Sequence, residues 1–416
     1  MATLKGGIAI RVFLSFASAY LISYALRTIN AIIAPSLKAD VGLTDADLGL
    51  LSSAYFLAFA SLQLPLGIWL DKYGARKIEA GLLLLAAVGA AIFAISDSLL
   101  GLWIGRALIG LGVSACLMAP FKAFRQWYQP HQQGQLASLM LVAGTSGAML
   151  STVPASALLP LIGWRGVFWA MSVVVLLSAA AVFFVLRKAE AVQAASEPAR
   201  PQAAAASGGY RAVFTHPYFR RMGVLGLISA GTFNAMYTLW AGPWMITVLG
   251  MSNEETARVL FLLNLCLMLA YLGMSWLAPR LIAREGKGGL TVHRTIAIGL
   301  GGTILLEAVM VGTAAPWTWI CWPVLACCMT VMVLMQVSVG LSFPVSVVGR
   351  ANTAYNLLVF MGAFIMQWGI GLMSDAFQSL GLSPVGGLRA AFAVGMLIQA
   401  AALASFLVNK AQPDKH

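Results

Sequence analysis

Runs of predominantly apolar residues recur along the whole chain, and their length constrains the fold more than any single motif does. A helix needs about 20 such residues to cross the hydrocarbon core of a bilayer. Twelve runs reach that length, at approximately 9–36, 46–70, 77–96, 98–126, 134–160, 164–187, 220–249, 254–283, 291–313, 316–343, 349–378 and 385–409. A closed β-barrel would show short alternating segments instead, and these runs are continuous. Composition agrees: 60% of the 416 residues are hydrophobic and 10% are charged, where a soluble domain carries about 25% charged residues. The expectation is an all-α integral membrane protein with twelve transmembrane helices.

The formal charge of +12 is distributed as a topology signal. With both termini placed in the cytoplasm, 20 of the 26 Lys and Arg residues fall on the inner side and four (Lys38, Arg165, Arg258, Arg389) on the outer side. Cytoplasmic loops of membrane proteins carry this excess. Arg27 and Arg106 are the two left inside spans. No basic tract is longer than a pair such as Arg220-Arg221, so nucleic acid is not an expected partner; the bilayer is. The first run begins like a signal peptide but stays apolar to Ala34, longer than such regions are, and is expected to be an uncleaved first span. This places the chain in the inner membrane of a bacterial cell. The five cysteines all lie in apolar runs without a C-x-x-C spacing, and buried packing accounts for them. The four histidines form no H-E-x-x-H, so neither a metal nor a cofactor is expected.

Between the sixth and seventh runs lies "KAEAVQAASEPARPQAAAASGGYR", rich in Ala, Pro, Gly and Ser and expected to be a linker. It divides the chain into 1–187, a linker over 188–218, and 219–416. The halves repeat one another. "GQLASLMLVAGTSGAM" from Gly134 maps onto "GRANTAYNLLVFMGAF" from Gly349, pairing Gly147 with Gly362. "GWRGVF" (163–168) maps onto "GLRAAF" (387–392), pairing Arg165 with Arg389, and "TINA" (28–31) maps onto "TFNA" (232–235). Internal repeats of this kind are found in secondary transporters, with the substrate site between them.

The loop after the second run reads "GIWLDKYGARK" (67–77). It resembles the loop signature of the major facilitator superfamily, G-x-x-x-D-x-x-G-x-R-K, at Gly67, Asp71, Gly74, Arg76 and Lys77. Physically, Gly67 permits close helix approach, Asp71 can accept from a neighbouring helix N-terminus, and the cations anchor a tight inner turn. The resemblance implies two pseudo-symmetric six-helix bundles, with this loop latching them in one state of the transport cycle. The fourth run, "LWIGRALIGLGVSACLMAP", resembles the family's L-x-x-x-R-x-x-x-G-x-G pattern at Leu102, Arg106, Gly110 and Gly112. Its "GLGVSA" also fits a dinucleotide-binding fingerprint, but that motif requires a strand and a βαβ unit, and small-residue helix packing explains it here. Arg106 is either a tie to the carbonyls of a neighbouring helix or part of the coupling route.

Arg27 is the more demanding residue. A charge at the centre of a span costs at least about 2.5–3.5 kcal/mol on insertion scales, so it must face a partner or a watery cavity. Eight residues separate Arg27 from Pro35, about 12 Å of helix and more than one side chain comfortably spans by snorkelling. A guanidinium there can hold a carboxylate or phosphate bidentately. "YALRTINAIIAP" resembles the first helix of organic-anion and organophosphate members of the superfamily. Phosphate-recognising members pair this arginine with a second in the seventh span; in the "TINA"/"TFNA" alignment Arg27 falls on Gly231. A lone cation suits a carboxylate better than a phosphate dianion.

Tyr24 and Asn30 lie within one turn of Arg27, and Asn234, Tyr237 and Trp240 follow at three-residue steps in the seventh span. With Asn356 they are candidate substrate contacts, each also explicable as helix packing. Glu307 in the ninth span is the candidate proton-coupling carboxylate, with a place near the outer interface as the other reading. The Gly-Pro pair of drug antiporters is missing from "GTSGAMLSTVPAS". The expected function is secondary transport of a small organic anion by a monomer, proton-coupled or exchange-driven, in a direction the residues leave open. An efflux carrier for a drug or siderophore-like molecule and a non-transporting membrane sensor are the alternatives. No nucleophile–base pair or phosphate loop supports an enzyme.

Overall fold

A computed structural model of the chain describes residues 6–128, 133–194, 210–283, 291–343 and 347–409. Residues 195–209 of the linker, with Lys5, His131, Arg284, Lys287, Lys410, Lys415 and His416, lie outside the described residues. The described residues are helical with no strand among them. Among the described residues, nine helices are long and apolar enough to span a membrane, and Asp45–Ser61 with Gln63–Leu70 forms a tenth bent by 44°. The shorter apolar helices Leu99–Gly112 and Leu139–Leu150 supply the fourth and fifth spans of the twelve expected.

The tight turns come from glycines in the left-handed region. Gln63–Ile95 runs from the second span into the third through Gly74 (φ 81°), and Val153–Ala194 runs into the sixth through Gly163 (φ 65°). A side chain with a Cβ is strained at such φ values, so a glycine lets two spans join without a loop. The first span breaks into Gly6–Thr28 and Asn30–Val41, immediately after Arg27. The seventh span runs over Pro217–Thr247 and contains two π-helical segments, Gly226–Ala230 and Met236–Trp240.

By contact the chain forms two compact units. The first is Met1–Ile29 with Ala58–Ala205; the second is Asn30–Leu57 with Ala206–His416. Residues 30–57 therefore group with the second unit, although they precede the linker.

Equivalent contacts within each unit make the repeat physical. In the first, a Cβ on Gly147 would overlap the Leu21 carbonyl oxygen; in the second, a Cβ on Gly362 would overlap that of Leu227. These glycines let the fifth span pack backbone to backbone on the first, and the eleventh on the seventh. Pairing Leu21 with Leu227 sets Arg27 against Phe233 rather than Gly231, and neither position is a cation. Arg165 Nη1 donates to Ser96 O at 3.0 Å, at the C-terminal cap of the third span. Arg389 Nη2 donates to Val311 O at 2.7 Å, near the C-terminus of the ninth. Both guanidinium groups cover the carbonyl end of a helix dipole. Arg165→Ala and Arg389→Ala are each expected to cost about 1 kcal/mol, read as similar falls in melting temperature; a fall in one variant alone would deny the equivalence.

Candidate functional site

Arg27 is 8% exposed within the first unit. Its Cζ lies 4.6 Å from the ring centroid of Tyr24 and 5.5 Å from that of Phe59. Two aromatic faces stabilise a guanidinium that water does not reach, by cation–π attraction. Tyr20 packs edge-on against Tyr24 with centroids 5.0 Å apart, and a Cβ on Gly144 would clash with both rings. Gly144 is therefore what lets the tyrosines lie flat against the fifth span. One residue beyond Arg27, Thr28 Oγ1 donates to Tyr24 O and lies 2.6 Å from Ser151 Oγ. The hydroxyls fasten the end of the first helical segment to the fifth span and fix the level of Arg27. Phe59 and the break after Thr28 carry no local sequence signal that would have found them.

Arg106 is 1% exposed and its Nη1 donates to Leu26 O at 2.8 Å. It thus reaches the backbone next to Arg27. Gly110 and Gly112 are buried in the same helix, and a Cβ on Gly112 would clash with Ala86 and the Leu82 carbonyl of the third span.

The inner loop differs from expectation at Gly67. A Cβ there would meet no atom within 4 Å, so Gly67 makes no close helix approach in this structure. Gly74 supplies the turn through its positive φ. Arg76 Nε donates to Glu190 Oε2 at 2.7 Å, its guanidinium also lying 4.9 Å from the Phe183 ring. Lys77 is exposed, and the Asp71 side chain lies outside the described residues.

The remaining candidates belong to the second unit. Asn30 is fully buried and donates to Ser52 Oγ at 2.6 Å, its own Oδ1 having no partner. Asn234 Nδ2 turns back to Ala230 O at 2.9 Å, across the α segment between the two π segments. Tyr237 stacks on Phe233 and donates to Asn264 Oδ1 at 2.6 Å. Trp240 is fully buried with Nε1 donated to Gln367 O at 2.9 Å, leaving no surface for a ligand in this conformation. Asn356 Oδ1 accepts from Gln336 Nε2 at 3.3 Å. Glu307 is 3% exposed and accepts from Gln399 Nε2 at 2.7 Å. Tyr237→Phe is expected to cost about 1–3 kcal/mol, because it removes a buried donor to Asn264. Unfolding in detergent measures that cost; a loss of substrate affinity beyond it would assign Tyr237 a ligand contact.

A buried guanidinium beside a break in an apolar helix, with spans packed alike in the two units, is the architecture of a polytopic membrane protein built from repeats. A family profile, described as Major Facilitator Superfamily, matches residues 16–367. The chain belongs to this superfamily and is a multi-pass integral membrane transporter. It is 27% identical over 150 residues to a probable sulfoacetate transporter of Cupriavidus necator, covering 36% of this chain and 35% of that protein. It is 25% identical over 182 residues to a probable L-galactonate transporter of Escherichia coli, covering 42% and 39%. A quinolone resistance transporter of Acinetobacter baumannii is 25% identical over 170 residues, covering 39% of each chain. These alignments span between a third and two fifths of the relatives' lengths. Among solved structures, a bacterial homologue of the human lysosomal transporter Spinster superposes with a TM-score of 0.79 at 16% identity, covering 98% of both chains. A D-xylose–proton symporter superposes at 0.75 and 14%, covering 99% of this chain and 100% of that one. At these identities the structures share the fold alone.

Proposed function

We propose that this protein moves a small organic anion of the carboxylate type by alternating access, and that Arg27 is the group that holds it. The carrying observation is the Arg27 guanidinium, 8% exposed within a membrane span and set between Tyr24 and Phe59. Its planar fork matches a carboxylate with two parallel hydrogen bonds. Sulfoacetate and L-galactonate, named for two relatives, both carry a carboxylate. The proposal keeps the halves 1–187 and 219–416 joined by the linker 188–218, both termini cytoplasmic, and a monomer in an inner membrane. Tyr24 lines the anion beside Arg27; Asn234 and Asn356, polar residues of the second unit, are further candidate contacts. The relative named for quinolone resistance favours efflux of a larger aromatic acid as a second reading.

The test is uptake by purified full-length protein in proteoliposomes, with and without a pH gradient. The panel is labelled L-galactonate, sulfoacetate, other monocarboxylates and dicarboxylates, organophosphates and a quinolone. Saturable uptake of a carboxylate above empty liposomes is expected. Transport confined to the quinolone or to lipophilic cations would replace this reading with efflux, and binding without flux would make the protein a sensor.

A further inference from the structure

Glu79 lies in the third span, Lys72–Ile95, and has no exposed surface. It continues the best-packed stripe of that helix, with Leu83, Ala86, Ala87 and Ala90 each at most 2% exposed. Both of its carboxyl oxygens are buried without a hydrogen-bond partner. The fourth-span helices and Val153–Ala194 pack against this helix. Several of the charged groups they bring have partners other than Glu79. Arg106 donates to Leu26 O, Lys122 Nζ donates to Leu70 O, and Glu190 holds Arg76. Arg187 and Lys188 lie at the inner end of the sixth span, beside Glu190, on the side where the third span begins. Cys116, between the two fourth-span helices, is 1% exposed. Glu307, by contrast, has Gln399 as its partner.

An ionised carboxylate buried in such a stripe, with no donor to either oxygen, costs several kcal/mol. A neutral carboxyl does not carry that cost. We propose that Glu79 is the proton-carrying group of the transport cycle, protonated in the conformation described here and deprotonated when its packing opens to water. In the release step the carboxyl O–H bond breaks and the proton passes to water as hydronium. In the reloading step, with the opposite side open, the carboxylate takes a proton from hydronium. One proton moves per cycle and no other reactant is needed. In a coupled carrier the anion on Arg27 and the proton on Glu79 are linked. Binding of either changes the affinity for the other by the same factor. This rests on the anion reading of Arg27 for its direction, but the protonation of Glu79 stands apart from it.

The full-length protein in lipid is compared with Glu79→Gln, Glu79→Asp and Glu307→Gln. Infrared difference spectra over a pH change, without substrate, read the C=O band of protonated carboxyls. Wild type and Glu307→Gln are expected to lose a band as pH rises, Glu79→Gln to lack it, and Glu79→Asp to keep it at a shifted position. In vesicles holding pyranine, external L-galactonate or sulfoacetate is expected to acidify the lumen for wild type. For Glu79→Gln that acidification is lost while exchange of labelled substrate at equal pH persists. If neither acid is carried, the substrate reading falls and the infrared arm still decides Glu79. A wild-type band or wild-type acidification in Glu79→Gln would overturn the proposal. Should the glutamine variant fail to fold, a folded Glu79→Asp without any titrating band would overturn it equally.

Discussion

Arg27→Ala is expected to abolish anion uptake above background, and Arg27→Lys to lose most of it, with both proteins still folded and inserted. The sizes follow from the geometry of the group. A charge-assisted hydrogen bond contributes about 1.5–3 kcal/mol, and every 1.4 kcal/mol is about tenfold in affinity. Removing a two-bonded guanidinium therefore costs roughly a hundredfold or more in apparent affinity for a carboxylate. Lysine keeps the charge over the Tyr24 ring but not the fork, so it retains part of the attraction and little of the orientation. Concentration-dependent uptake in proteoliposomes, with vesicle content of each variant equalised, separates the affinity loss from poor expression. Wild-type uptake of every substrate by both variants would end the anion-hook proposal.

Gly147→Ala and Gly362→Ala are expected to produce large stability losses. At both positions the atom struck by the added methyl is a backbone carbonyl oxygen of the partner span, not the end of a flexible side chain. A side chain could rotate away; a helix backbone can yield only by moving the whole span. Overpacking ordinarily costs about 1–3 kcal/mol, and these two sites belong at or above the upper end. Gly67→Ala is the control. It sits in a helix with open space around it in this structure, where alanine gains about 0.5–1 kcal/mol in helix preference. Melting in detergent should rank Gly67→Ala at or above wild type and the other two well below it. Equal melting of all three would contradict the close packing of the repeated spans. If Gly67→Ala melts normally yet transports slowly, the glycine serves a conformation other than this one.

The span count was legible because an apolar run long enough to cross a bilayer has few other uses. The repeat was legible for a related reason: Gly147, Gly362, Arg165 and Arg389 answer to backbone geometry, which tolerates little substitution. The internal alignment slipped near Arg27 because "TINA" and "TFNA" match by letters, whereas the helices register by the Leu21 and Leu227 carbonyls. Glu79 was hidden by its neighbours. It follows Arg76 and Lys77 by two residues, so in the sequence it reads as one more charge of the inner loop. Only the turn at Gly74 and the packing beyond it carry it into the apolar stripe. Gly67 shows the converse: the sequence displays a glycine, but not whether anything stands opposite it. The break after Thr28 has no proline or glycine to announce it, and the π segments of the seventh span have no composition of their own.

Those π segments give the seventh span a kind of slack. A π turn stores about one residue more than an α turn of the same height, and each α residue advances the helix by 1.5 Å and about 100°. If that surplus moved along the helix from Gly226–Ala230 toward Met236–Trp240, the residues between would turn by one position while both ends of the span stayed in place. Phe233 and Asn234 lie in that interval. The span could then present a different side chain at a given level without any span tilting, a screw-like adjustment rather than a rocking one. Distances from spin labels at the two ends of the span, unchanged while a label at Asn234 reorients, would be its signature.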